Sequence, residues 1–164
     1  MNNNLPFVIG IDPGSYFSGI AVVQGEKLIN SRQVESLKNS KWSDLDLAQY
    51  MCSFMLDVDE YIEEYEPKLI VVELTSVSTN MHTNKLLSYF EAAALISAGM
   101  YYVDIKRVRT TEARKSIFGK GNAKKEDVVR KIRYKYGENL SEDEAEAIVF
   151  ALFGSKILDA EETP

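Results

Sequence analysis

Two short β-rich runs open the chain. Phe7-Val8-Ile9-Gly10-Ile11-Asp12 is apolar almost to its last residue and is stopped by Pro13-Gly14, and Tyr16 to Gln24 follows and ends near Gly25. Turn residues bounding β-branched runs predict strands joined as a hairpin. A third strand is expected over Lys27 to Glu35, where Leu28, Ile29 and Val34 stand among polar residues ahead of Lys38-Asn39-Ser40. Three strands with short connections imply an antiparallel meander. From Ser43 the period lengthens. Leu45, Ala48, Cys52, Met55, Val58, Ile62 and Tyr65 recur at three and four residues, with Ser43 at the N-cap and Pro67 just past the end, which predicts one long amphipathic helix anchored near its start by Trp42.

The second half alternates. Lys68-Leu69-Ile70-Val71-Val72-Glu73 is a continuous apolar run closed by a carboxylate, as expected of a central strand buried on both faces. Asn84 to Gly99 reads as a helix stopped by glycine, Tyr101 to Val108 as a fifth strand, and Thr110 to Phe118, Lys124 to Tyr136 and Ser141 to about Leu158 as three closing helices. Gly119-Lys120-Gly121-Asn122 is the basic loop between the first two of these, and Asp159 to Pro164 is expected to fray. Helices between strands favour parallel pairing, so the chain reads as α/β. Its five-stranded mixed sheet has a three-strand antiparallel meander followed by two parallel strands, flanked by helices, in one domain over residues 1–164.

Composition narrows the function classes. At 164 residues and 18.5 kDa the chain supports one core and is too short for two full domains. An actin-like ATPase, which also opens on an Asp-x-Gly strand turn, would need a second lobe to close over nucleotide. Gly10 to Gly14 is not followed by Gly-Lys-Ser/Thr, so no phosphate loop forms and no nucleotide cofactor is expected. Apolar runs fall far short of the ~20 residues of a membrane span, and Met1 to Pro6 has no signal-peptide pattern. A cytoplasmic protein is expected, and the single cysteine, Cys52, agrees with a reducing compartment. The net charge of −6 hides a split: Lys106 to Lys135 holds twelve Lys/Arg against three acids, and the remainder seven against twenty-two. That asymmetry suits a nucleic-acid face on an acidic body, or a solvated basic helix.

The carboxylates carry the chemistry. Asp12 has a turn-opening explanation in Asp-Pro-Gly. Glu73 does not, because Glu is depleted from strands and here follows four apolar residues. If strands one and four are adjacent and parallel, both acids meet outside the strand ends, where α/β sheets bind ligands. Ser141-Glu142-Asp143-Glu144-Ala145-Glu146 opens the last helix. Ser141 and Glu144 form a capping box and the helix dipole favours the other acids of the first turn, but Glu146 lies deeper. Asp143 with Glu146, or Glu142 with Glu146, can share a cation across one helix face, and periodicity does not choose between them. Clustered carboxylates repel unless a cation lies between them, and an all-oxygen set suits Mg²⁺ or Mn²⁺, one ion or a pair able to hold a phosphodiester. His82, the only histidine, has no Cys or His partners that would suggest a transition-metal site.

Gly10-Ile11-Asp12-Pro13-Gly14-Ser15-Tyr16-Phe17-Ser18-Gly19, Val71-Val72-Glu73 and Asp143-Glu144-Ala145-Glu146-Ala147 closely resemble, in order and spacing, the acidic motifs of RuvC-like Holliday-junction resolvases, over about Phe7 to Phe153. The resemblance implies an RNase H-like fold. It also implies a homodimer whose subunits each nick one strand of a four-way junction, leaving 5′-phosphate and 3′-hydroxyl ends, with Mg²⁺ or Mn²⁺, two ions per site, held by Asp12, Glu73, Asp143 and Glu146. It favours Asp143 over Glu142. It also implies a catalytic and DNA-contacting role for Lys125, and DNA contacts at Arg114 or Lys115, with Lys120 and Lys124 in the same basic stretch. Two departures stand out. The last acid is Glu146 where the best-known members have Asp, and Ser76 stands where bacterial enzymes often carry a stacking aromatic. The second, with the small size, suits a phage-type member and relaxed selectivity that extends to forks. The rival functions are a branched-DNA-binding module that does not cut, and an RNase H-like nuclease for forks or RNA–DNA hybrids.

Overall fold

The computed structural model describes residues 5–35, 43–75 and 81–161. Five strands, β1 (Phe7–Asp12), β2 (Phe17–Gln24), β3 (Lys27–Glu35), β4 (Leu69–Glu73) and β5 (Asp104–Val108), form one sheet in the order β3-β2-β1-β4-β5. The first three pair antiparallel, and β4 pairs parallel to both β1 and β5. The expected mixed sheet is therefore present, and β1 and β4 are neighbours.

Helices α1 (Asp44–Tyr65) and α2 (Met81–Tyr101) cover one face of the sheet; α5 (Glu142–Glu161) lies on the other, and α3 (Thr110–Phe118) and α4 (Lys125–Tyr136) pack over it. Strand alternation sorts the cores. Ile9, Ile11, Ile70 and Val72 face α1 and α2, while Val8, Leu69 and Val71 face α5. Buried on nearly every side from Ala145 to Ser155, α5 is the central helix of the fold.

Glycine decides how closely α5 approaches the sheet. A Cβ on Gly10 would lie 2.0 Å from the Ala147 carbonyl oxygen, and one on Gly19 would lie 2.0 Å from that of Asp143. Backbone therefore rests on backbone at the start and the middle of the helix.

Three helix expectations change. Helix α2 runs through Gly99, whose missing side chain faces open space, and stops two residues later. There Tyr102 adopts φ +56°, its N–H donates to the Gly99 carbonyl, and the Val103 N–H reaches back to the Ala98 carbonyl at 2.9 Å. This is a Schellman stop built on tyrosine instead of glycine, and it shortens β5 at its start. In α1, Ser43 forms the expected N-cap, in a capping box with Asp46. However, Leu45, Ala48 and Cys52 are exposed, and burial begins at Phe54 and continues with Val58, Tyr61 and Ile62. The last helix continues to Glu161 where fraying was expected from Asp159. Trp42, Ser76 and the side chain of His82 lie outside the described residues.

Candidate active site

Parallel register sets Ile11 beside Val72, so Asp12 and Glu73 end neighbouring strands side by side. Continuing the alternation from Val8 and from Leu69 and Val71 puts both carboxylates on the α5 face. The backbone of Asp143 rests on Gly19, which is the residue paired with Asp12 across β1 and β2. One turn on, Glu146 is 3% exposed. Two strand ends and one helix thus bring four acids together.

Burial first, and then the negative charges of Glu73, Glu146 and Asp143, raise the Asp12 carboxyl well above its usual range, and a hydrogen bond joins it to Glu73. Burial also raises Glu146, against the opposing pull of Arg114. Among the described residues no group of three or more Asp, Glu, His or Cys side chains is set, as it stands, to grip one ion. Each acid besides Asp12 leans on a protein donor. Thr110 Oγ1 donates to Glu73, Gln33 Nε2 to Asp143 Oδ2 at 2.8 Å, and Arg114 Nη2 to Glu146 Oε1 at 2.5 Å. Mutual repulsion favours such arrangements, and the same donors orient the carboxylates.

The sequence-derived cations separate into two groups. Lys125, at the start of α4, faces the acids: burial lowers its basicity, but Asp12, with Glu142 and Asp143, outweighs this and raises it. Its Nζ lies 3.3 Å from Glu142, which is exposed, so Glu142 faces the lysine while Asp143 acts on Asp12. Lys115, Lys120 and Lys124 are exposed around the glycine loop. Arg114 is turned inward, its Nη1 donating to the Ala123 carbonyl at 2.9 Å, and its pairing with Glu146 makes it a poor surface contact for DNA. Further along α4, Arg130 pairs with Asp127, Arg133 donates to the Leu140 carbonyl and Lys135 pairs with Glu26. These three are engaged within the protein.

Replacing Arg114 with Ala leaves Glu146 buried beside like charges without its donor. The raised proton affinity of Glu146 lets it neutralise, which limits the loss to about 2 kcal/mol. The expected fall in Tm is checked by thermal melts against Arg114→Lys, which keeps a cation and recovers part of it.

Comparison with known proteins decides the family. The profile of the family described as crossover junction endodeoxyribonuclease RuvC matches residues 8–153. The chain belongs to the RuvC family. RuvC of Rickettsia akari is 30% identical over 156 residues, covering 88% of this chain and 93% of the relative, and that of Brachyspira hyodysenteriae is 24% identical over 149 residues, covering 88% and 90%. The fold matches Thermus thermophilus RuvC with a TM-score of 0.79 at 20% identity, over 94% of this chain and 96% of the other. It matches the same protein in complex with a Holliday junction substrate with a TM-score of 0.80, over 95% and 96%. RuvC membership places the protein among the crossover junction endodeoxyribonucleases, and the RNase H-like reading of the sheet holds.

Sequence reading missed Thr110 and Gln33 because nothing local marks them. Thr110 looks like a first-turn residue of α3 and Gln33 like the outward side of an edge strand; each gains its role from a partner 37 or 110 residues away.

Proposed function

We propose that the protein resolves four-way DNA junctions as a homodimer of single-domain subunits in the bacterial or phage-infected host cytoplasm. Asp12, Glu73, Asp143 and Glu146 hold divalent metal, Mg²⁺ or Mn²⁺, and Lys125 serves the scissile phosphate. The observation that carries this reading is the meeting of four carboxylates from β1, β4 and α5 beside the half-exposed Lys125. The donor set fits a hard cation. It is all oxygen, Glu146 Oε2 is buried with no hydrogen-bond partner, and Asp12 is forced toward its protonated form by neighbours that a cation would offset. A bound divalent ion supplies activation of water and stabilisation of charge on the phosphate oxygens.

The protein's own groups do the rest. Gln33 and Thr110 fix the rotamers of Asp143 and Glu73, and Arg114 holds Glu146 while anchoring the loop end at Ala123. Lys125 can exchange Glu142 for a phosphate oxygen, since that ion pair is largely solvated. Lys115, Lys120 and Lys124 are exposed around the glycine loop that precedes Lys125, and against a DNA backbone they would add salt-dependent affinity without selecting sequence. Among the described residues no helix is long and apolar enough to cross a membrane.

The test is cleavage of an end-labelled synthetic four-way junction, beside a matched duplex, a fork and an RNA–DNA hybrid, with Mg²⁺, Mn²⁺ or EDTA. Paired, metal-dependent nicks confined to the junction are expected; binding without nicks, or preference for the hybrid, overturns the reading. Lys125→Ala should slow junction cleavage about 100-fold by removing one charge from the reacting phosphate, with junction affinity in EDTA changed far less.

A further inference from the structure

Glu91 is a buried acid outside the carboxylate cluster. It lies on α2, 6% exposed, in a helix whose neighbouring inward residues are Phe90, Ala93 and Ala94. A carboxylate in such surroundings costs free energy unless both oxygens are satisfied, and an apolar residue of similar size would pack α2 at least as well. Both oxygens are in use. Oε2 accepts the backbone N–H of Thr75 at 2.9 Å, and Oε1 accepts from Arg107 Nη1 at 3.1 Å.

Both partners border Glu73. Thr75 is two residues beyond it, after Leu74 has prolonged the β4–β5 ladder by donating to the Val108 carbonyl at 2.8 Å. Arg107 precedes Val108, the residue paired with Glu73 across that ladder. The Thr75 N–H is the first backbone donor past the ladder, and a buried charge on the opposite helix layer secures it. A strand end without such a bond would gain conformational freedom, and the carboxylate it carries would sample more orientations.

We infer that Glu91 is a positioning residue for Glu73, acting through the Thr75 backbone to keep that carboxylate aimed at the acid cluster and so setting metal affinity. This rests on the reading of Glu73 as a metal-holding acid. A residue that supports a ligand from outside the coordination sphere commonly changes metal affinity 10- to 100-fold when lost.

The experiment is calorimetric titration of Mn²⁺ alone into wild-type protein, Glu91→Ala, Glu91→Gln, Thr75→Pro and Asp12→Asn, with far-UV circular dichroism melts and the Mg²⁺ dependence of cleavage alongside. Glu91→Ala should bind Mn²⁺ about tenfold more weakly and need correspondingly more Mg²⁺ for half-maximal cleavage, with unchanged junction affinity in EDTA. Glu91→Gln keeps an oxygen for the Thr75 N–H and should stay within about twofold of wild type, although its charge is gone. Thr75→Pro deletes the same bond from the donor side and should match Glu91→Ala, which decides the matter if the alanine variant does not fold. Wild-type Mn²⁺ affinity in folded Glu91→Ala, or equal losses in the Ala and Gln variants, overturns the inference while the metal site stands. Unchanged Mn²⁺ binding in Asp12→Asn overturns the metal site, and this inference with it.

Discussion

Asp12→Asn is expected to abolish junction cleavage, a loss of at least about 1000-fold, and at the same time to make the metal-free protein more stable. The two effects share one cause. Asp12 ends β1 where burial, Glu73, Glu146 and Asp143 all oppose its negative charge. Its folded-state proton affinity is raised above the ordinary value of 3.8, so the folded protein binds more protons than the unfolded chain between those two values. Stability is therefore intact below about pH 3.8 and is lost as pH rises through the raised value. An amide carries no charge and escapes this penalty. In EDTA near neutral pH the variant should melt above wild type, and the gap should narrow as the pH is lowered toward 3.8. Adding Mg²⁺ or Mn²⁺ should raise the Tm of wild type and not of the variant. Melts with and without metal, paired with junction cleavage and with junction binding in EDTA, check the set. A variant that still cleaves would remove Asp12 from the site.

Gly19→Ala should cost about 3 kcal/mol, or roughly 10 °C in Tm, and inactivate the protein even where it stays folded. The added Cβ would lie 2.0 Å from the carbonyl oxygen and 2.3 Å from the carbonyl carbon of Asp143, and 2.9 Å from the backbone nitrogen of Glu144. These are backbone atoms of a helix start and cannot rotate aside. The N-terminus of α5 must lift from β2, carrying Asp143 away from Asp12. Gly99→Ala is the matched control. Its Cβ would meet nothing within 4 Å on α2, so helix propensity should make it neutral or stabilising by up to about 1 kcal/mol. Thermal melts and Mn²⁺ titration of both variants separate a local clash from a general effect of alanine.

Much of this arrangement was legible in the sequence because it is local or periodic. Strands β1 to β4 show as apolar runs between turn residues, and the helix before β4 favours parallel pairing, but that β1 is its neighbour, and so that Asp12 meets Glu73, is a condition the sequence leaves open and the sheet order β3-β2-β1-β4-β5 meets. Glu142 and Asp143 are another matter. They are adjacent on one helix, and which of them turns toward Asp12 depends on the rotational setting of α5, fixed by its contact with Gly10 and Gly19 from strands more than a hundred residues earlier. Periodicity carries no information about that contact. Arg114 illustrates the same limit. In the chain it belongs to a run of cations, and only packing of α3 against α5 reveals its tie to Glu146. The end of α2 is hidden for a different reason, since a solvent-facing glycine two residues earlier resembles a stop and a tyrosine in a left-handed conformation supplies it.

The seating of α5 on Gly10 and Gly19 also bears on biosynthesis. The glycine-floored surface of β1 and β2 leaves the ribosome well before the helix that fits it, with Asp143 and Glu146, has been made. A chain stalled before α5 has its meander but half its acids, and leaves the apolar side of its sheet bare. With Asp143 and Glu146 in the proposed metal site, nuclease activity and a closed core arrive in the same folding event, and a chain stopped before α5 is expected to have neither.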